Sequence, residues 1–166
     1  MMMPNFLLIG AAKSGTTSLY HYLRQHPQVY MSPVKEPKFF AFEEAEPGSP
    51  RRPGDREMMN RETTADVEGY KALFAGVTDE KAVGEASPHY VYAPEAAGRI
   101  RRHLPEARLV AVLRNPVERA YSSHLHLVRE GFERSGFSEG PKAEEQRIRG
   151  NPNLTWHYKS GGGTYH

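Results

Sequence analysis

The chain has 166 residues, 38% of them apolar, which is enough to bury a core and fits one globular domain. Its formal charge is only +2, from 22 basic and 20 acidic residues, so no global field recruits nucleic acid or an anionic membrane and any anion must be held by a local cluster. The absence of cysteine excludes disulfides, thiolate metal sites and thiol nucleophiles, and suits the reducing cytoplasm.

The opening "MMMPNFLLIGAA" lacks a basic leader and its apolar run is short, so it reads as a first core strand and not as a signal peptide. No other stretch is long and apolar enough to span a bilayer. "NFLLIG" has the continuous apolar pattern of a parallel strand covered on both faces. A helix follows from Ser14 or Gly15 to about Arg24, with Leu19, Tyr22 and Leu23 at helical spacing, and "QHP" stops it. "QVYM" is a short second strand. Residues 43–66 are charged, rich in proline and glycine and without apolar period, which predicts a mobile surface insert with no core role. "YKALFAG" predicts a short helix, "KAVGEAS" a strand, and "PEAAGRIRRHL" a helix begun by its proline. "ARLVAVLRNP" is the clearest second core strand. "PVERAYSSHLHLVREG" is a helix opened by Pro116 and capped by Gly131. Past Phe132 the signal fades, with one short helical stretch at "LTWHYKS". Alternating strands and helices imply an α/β fold, a mostly parallel sheet with chemistry at the carboxyl ends of its strands.

In "GAAKSGTTS", Gly10 and Gly15 let the backbone turn its amides into one concavity at a helix N-terminus, a ready anion site. Lys13 adds a mobile charge, and Ser14, Thr16, Thr17 and Ser18 add hydroxyl donors. The alternative is a plain glycine turn with a hydroxyl-capped helix. Nucleotide triphosphatases place the lysine after the last glycine and an Asp at the end of a neighbouring strand to hold Mg²⁺. Here Lys13 precedes Gly15 and the strand "RLVAVL" ends in Arg114, which repels a divalent cation and offers a fork to a second phosphate. Ser122 adds a hydroxyl to that group. The alternative for Arg114 is a pair with a carboxylate such as Glu118. His124 and His126 lie two apart on a helix and point to different faces, so no metal is expected. "RIRR", Arg99 to Arg102, reads as a solvated helix face, or less simply as a patch for a polyanionic acceptor.

"KSGTTSL" after the first strand and "RNPVERAYSSH" after a late one resemble the sulfotransferases that use 3'-phosphoadenosine 5'-phosphosulfate (PAPS). The resemblance extends through "HPQVYMSPVKEPKFF" and "VGEASPHYVY", from about Asn5 to Gly131. It implies a P-loop NTPase-like three-layer sandwich, with the first loop on the 5'-phosphosulfate and Arg114 with Ser122 on the 3'-phosphate. "KEPKFF" is most similar to the branch containing heparan sulfate sulfotransferases and related bacterial enzymes, and that implies Glu36 as general base, while Lys13 stabilises the leaving phosphate. Burial is then expected to raise the Glu36 pKa toward neutrality. The other reading of Glu36 is a solvated charge beside Lys35 and Lys38. Phe39 and Phe40 read as core. Where heparan-type enzymes often carry a lysine this chain has Ala86, so Ser87 and His89 are left to face the cleft. The acceptor implied is a hydroxyl of a carbohydrate or other small molecule. The competing readings are a P-loop kinase or triphosphatase, and a C-terminally truncated nucleotide-binding fragment with little activity.

Overall fold

The computed structural model describes residues 2–43, 64, 66–131 and 133–139. These fall into two compact units, one running to Leu113 and one beginning at Arg114. The first contains β1 (Phe6–Gly10), α1 (Thr16–Leu23), β2 (Val29–Met31), α2 (Phe39–Phe42) and α3 (Val67–Ala72). It continues through β3 (Ala82–Ala86), a 3₁₀ turn (Pro88–Val91), α4 (Ala96–His103) and β4 (Arg108–Ala111). The second unit holds α5 (Pro116–Arg129).

The four strands of the described residues are all parallel, in the order β2-β3-β1-β4. β1 is central, which explains its unbroken apolar run: Leu7 and Leu8 are both 0% exposed. Its register sets Phe6 opposite Gly84 and Leu8 opposite Ala86. From β1 the chain crosses α1 to the β2 side, whereas from β3 it crosses α4 to the β4 side. In an open parallel sheet, neighbouring strands whose connections leave in opposite directions mark the usual place for a ligand at their carboxyl ends, here those of β1 and β3.

One cluster joins Leu8, Tyr20, Met31 and Ala86, with Leu19 and Leu23 packed against it. Tyr20, not Tyr22, takes the core face of α1: Tyr22 is 71% exposed, while the Tyr20 hydroxyl donates to the Ser32 carbonyl at 2.7 Å. A second cluster is aromatic. Phe39 stacks on Tyr70 with ring centroids 4.5 Å apart, and Phe40 meets Tyr90 edge-on at 5.5 Å. Each such pair adds about 1 kcal/mol beyond its buried area.

Several boundaries differ from expectation. α3 starts three residues before Tyr70 because the Asp66 carboxylate caps it, accepting from Gly69 N at 2.7 Å. Glu43 is buried, with its carboxylate against His103, so both ends of the predicted insert are built into the unit while its interior lies outside the described residues. "LTWHYKS" also lies outside them. Pro94 does not open α4; the Ala96 amide closes a turn on the Ala93 carbonyl at 3.1 Å, and the helix begins after it. β4 is shorter than its apolar run and every residue of it is exposed, so it is no core strand among the described residues. α5 does open at Pro116, with Asn115 capping Val117 N at 3.0 Å, and Gly131 follows it at φ 79.

Candidate functional site

The loop leaving β1 turns at once. The Ala11 amide bonds the Val112 carbonyl at 2.8 Å, and the Ala12 amide donates to the Tyr92 hydroxyl at 3.2 Å. Lys13 has φ 64 and Gly15 φ 97, both left-handed. A Cβ on Gly15 would meet nothing within 4 Å, so it is conformation and not space that asks for glycine there. α1 begins at Thr16 with no side-chain cap, leaving its first amides to an outside acceptor. Ser14 is buried and its Oγ has no hydrogen-bond partner, whereas Thr17 and Ser18 are exposed. Burying an unpartnered hydroxyl costs roughly 1–3 kcal/mol, which a ligand oxygen would offset. Lys13, Ser14, Gly15, Thr16, Thr17 and Ser18 thus form the turn between β1 and the first turn of α1, where the orphaned Ser14 hydroxyl is free to meet an outside oxygen.

Glu36 arrives from the β2 side. Its amide bonds the Ala86 carbonyl at 3.0 Å, and the Ser87 amide bonds the Leu8 carbonyl at 3.1 Å, so the Glu36 segment is fastened to the end of β3 and the β3 exit to β1, the strand that leads into the Lys13 loop. Glu36 has φ 62 and Lys38 φ 56, a left-handed pair of non-glycine residues. Glu36 Oε1 lies 2.6 Å from Lys35 Nζ, and Oε2 lies 3.7 Å from His89 Nδ1 and 3.8 Å from Lys38 Nζ.

That electrostatic setting corrects one expectation. Burial pushes the Glu36 carboxyl up, but Lys35, His89 and Lys38 together outweigh it and hold the group below the ordinary carboxylate value. His89 is lowered to about 4, first by burial and then by Lys38. At neutral pH the site therefore holds an ionised Glu36 beside an uncharged imidazole. Ser87 does not face the strand ends: it is 0% exposed and its hydroxyl accepts from Lys38 N at 3.0 Å. Ala86 is buried in the core cluster, and Phe39 and Phe40 are core as predicted.

Arg114 and Ser122 belong to the second unit. Arg114 Nε pairs with Glu118 Oε2 at 3.1 Å on an exposed face, the carboxylate alternative left open by the sequence. Ser122 is half-buried, and its neighbour Ser123 is buried with an unpartnered hydroxyl. Arg99 is not a solvated charge; it donates to the Phe40 and Ala41 carbonyls at 3.1 and 3.0 Å and closes α2, while Arg101 and Arg102 are exposed. His126 lies beside Arg129 and Glu130, and His124 packs on Phe137. Among the described residues no group of three metal-ligating side chains occurs, and no helix is long and apolar enough to cross a membrane. Tyr92 and the tyrosine-lined Glu85 escape sequence reading because they meet the site only through the fold: Tyr92 and Ala12 are 80 residues apart.

The model of the sulfotransferase family matches residues 4–159. Among solved structures, a sulfotransferase from Alicyclobacillus acidocaldarius is 44% identical with a TM-score of 0.77, over 98% of this chain and 65% of that one. The membrane-associated sulfotransferase kil1 of Dictyostelium discoideum is 34% identical over 127 residues, covering 75% of this chain and 23% of its own length. Human carbohydrate sulfotransferase 15 is 30% identical over 165 residues, covering 82% of this chain and 29% of its own. The mouse heparan sulfate glucosamine 3-O-sulfotransferase 6 is 32% identical over 121 residues, covering 73% and 30%. The chain thus spans less than a third of the length of each of these curated relatives.

Proposed function

This chain belongs to the sulfotransferase family, and we propose that it moves a sulfonate group from PAPS to a hydroxyl of a carbohydrate or other small acceptor. The acceptor oxygen forms a bond to sulfur, the bond from sulfur to the 5'-phosphate oxygen breaks, and 3',5'-adenosine bisphosphate departs. Glu36 takes the acceptor proton; Lys13 and the loop amides stabilise the charge that develops on the leaving phosphate. Lys35 and Lys38 keep Glu36 ionised, so the base is ready at neutral pH although its strength is reduced. Arg114 and Ser122 take the 3'-phosphate, a role that rests on the resemblance alone. The carbohydrate class is favoured by what the relatives' names say of them, one being a carbohydrate and another a heparan sulfate sulfotransferase.

The observation that carries this reading is the fastening of two loops to neighbouring strand ends. The uncapped turn with Lys13 and the orphaned Ser14 hydroxyl leaves β1, and Glu36 hangs from Ala86 at the end of β3. Calorimetric titration with 3',5'-adenosine bisphosphate and, separately, with ATP and Mg²⁺ tests it. The bisphosphate is expected to bind tighter by about tenfold or more, ~1.4 kcal/mol, and Arg114→Ala to remove most of that margin. Equal binding of ATP with Mg²⁺ would return the site to the nucleotide triphosphatases.

A further inference from the structure

The Glu36 segment and the Lys13 turn are both built against one short stretch of chain, residues 87–92, which follows β3 and contains the 3₁₀ turn. On the Glu36 side, Ser87 Oγ accepts from Lys38 N at 3.0 Å, and His89 Nδ1 lies 3.7 Å from Glu36 Oε2. On the Lys13 side the contacts are Val91 and Tyr92. A Cβ on Gly10 would fall 2.8 Å from Val91 Cγ1, so the stretch packs on bare backbone where β1 ends. Two residues on, the Tyr92 hydroxyl oxygen accepts from the Ala12 amide at 3.2 Å.

The amides of the turn divide into two sets. Ala11 N goes to the Val112 carbonyl at 2.8 Å, Ala12 N to Tyr92, and Ser14 N back to the Ala11 carbonyl at 3.2 Å, so these three are spent within the fold. The amides of Thr16 and Thr17 open α1, which has no side-chain cap, and are left for an anion. Between the sets stands Lys13 at φ 64, a left-handed conformation that a non-glycine residue keeps only when its surroundings over-determine it. The Tyr92 bond acts on the residue next to Lys13, and because it comes from a side chain it can be removed without disturbing the backbone pairing of β1. We propose that Tyr92 is a positioning residue for the 5'-phosphate of the donor: by holding the Ala12 amide it fixes the left-handed turn at Lys13, and with it the direction in which the α1 amides and the Ser14 hydroxyl meet the anion. This role rests on the Lys13 turn being the 5'-phosphate site. Tyr92 acts through Ala12 and has no part in holding the 3'-phosphate.

Tyr92→Phe keeps the ring and removes the acceptor oxygen. Calorimetry on the whole protein compares 3',5'-adenosine bisphosphate with adenosine 3'-phosphate, which lacks the 5' group. Wild type is expected to prefer the bisphosphate by about tenfold or more. Tyr92→Phe should bind the bisphosphate about fivefold to tenfold more weakly, the size of one lost hydrogen bond, and adenosine 3'-phosphate as before. A general loosening of the fold would weaken both nucleotides alike. Hydrogen exchange on wild type needs no variant and serves should Tyr92→Phe fold poorly. The Ala12 amide is expected to be protected before any nucleotide is added and to be slowed no further by the bisphosphate, whereas the Thr16 and Thr17 amides slow on its addition. In Tyr92→Phe the Ala12 amide should exchange faster. An Ala12 amide that exchanges in wild type as an open one, an unchanged preference in Tyr92→Phe, or a loss shared equally by both nucleotides overturns the role of Tyr92 alone. Equal binding of the two nucleotides by wild type overturns the 5'-phosphate reading of the Lys13 turn, and the Tyr92 role with it, whatever the exchange shows.

Discussion

His89 shows how far one side chain can be moved by where the chain puts it. Free histidine titrates near 6.5, but burial and then Lys38 lower His89 to about 4. Between those values the unfolded chain holds a proton that the folded chain refuses, so stability is lost as pH falls through that window. His89→Gln has no such proton. Relative to wild type it should therefore gain about 2 kcal/mol between about pH 7 and about pH 5, read by urea unfolding at each pH. Glu85 works in the opposite sense, because its folded value is raised from 4.5 to about 7 and the folded state binds more protons in between. It is present in both proteins and cancels in the difference. A margin that does not change with pH would show that His89 is solvated enough to protonate in place. The sequence already set Glu36 beside Lys35 and Lys38; what it lacked was His89, which the fold brings to 3.7 Å from across 53 positions of chain. It lacked also the left-handed backbone at Glu36 and Lys38, for which no glycine gives a signal.

β1 and β3 were legible because a strand covered on both faces has little choice of residue, and the tight turn between β1 and α1 because Gly15 marks a left-handed conformation. The short elements were not. α2 has four residues and no helical period to detect, and it exists because Arg99 takes its terminal carbonyls and the aromatic cluster takes its rings. α4 was read from Pro94, but a turn intervened that only tertiary geometry selects. The β1–β3 pairing makes a sharper demand than periodicity does, since the Phe6 ring lies against Gly84, where a Cβ would fall within the ring's van der Waals envelope. Gly84→Ala should therefore cost about 1–3 kcal/mol in urea unfolding, the usual penalty for overpacking. Because Gly84 pairs at the start of β1, two positions short of the strand end, bisphosphate affinity should barely move. A destabilisation below about 0.5 kcal/mol would show that the Phe6 ring can swing aside freely.

At the scale of the molecule, the two loop motifs carried the family, and the match over residues 4–159 agrees with them. The reading of β4 did not carry over in the same way. "RLVAVL" has the unbroken apolar character of a strand covered on both faces, yet Leu109 is 52% and Val110 38% exposed, and β4 pairs only with β1 among the described residues. Apolar patterning reports that a strand is to be covered, not by what. Among the described residues the sheet ends on this apolar strand, so unpaired backbone groups and greasy side chains lie together there, the combination that recruits a strand from another chain. The 166-residue chain is therefore expected to self-associate as its concentration rises, with β4 in the contact. Leu109→Lys puts a charge on that edge without touching the phosphate loop or Glu36. It removes about half of a leucine's burial on association, roughly 1 kcal/mol, and should weaken self-association about fivefold in sedimentation equilibrium. Bisphosphate affinity should be retained, which separates loss of the edge contact from loss of the fold. If wild type sediments as a monomer at every concentration, or Leu109→Lys associates as readily as wild type, β4 is not the surface through which copies of the chain meet.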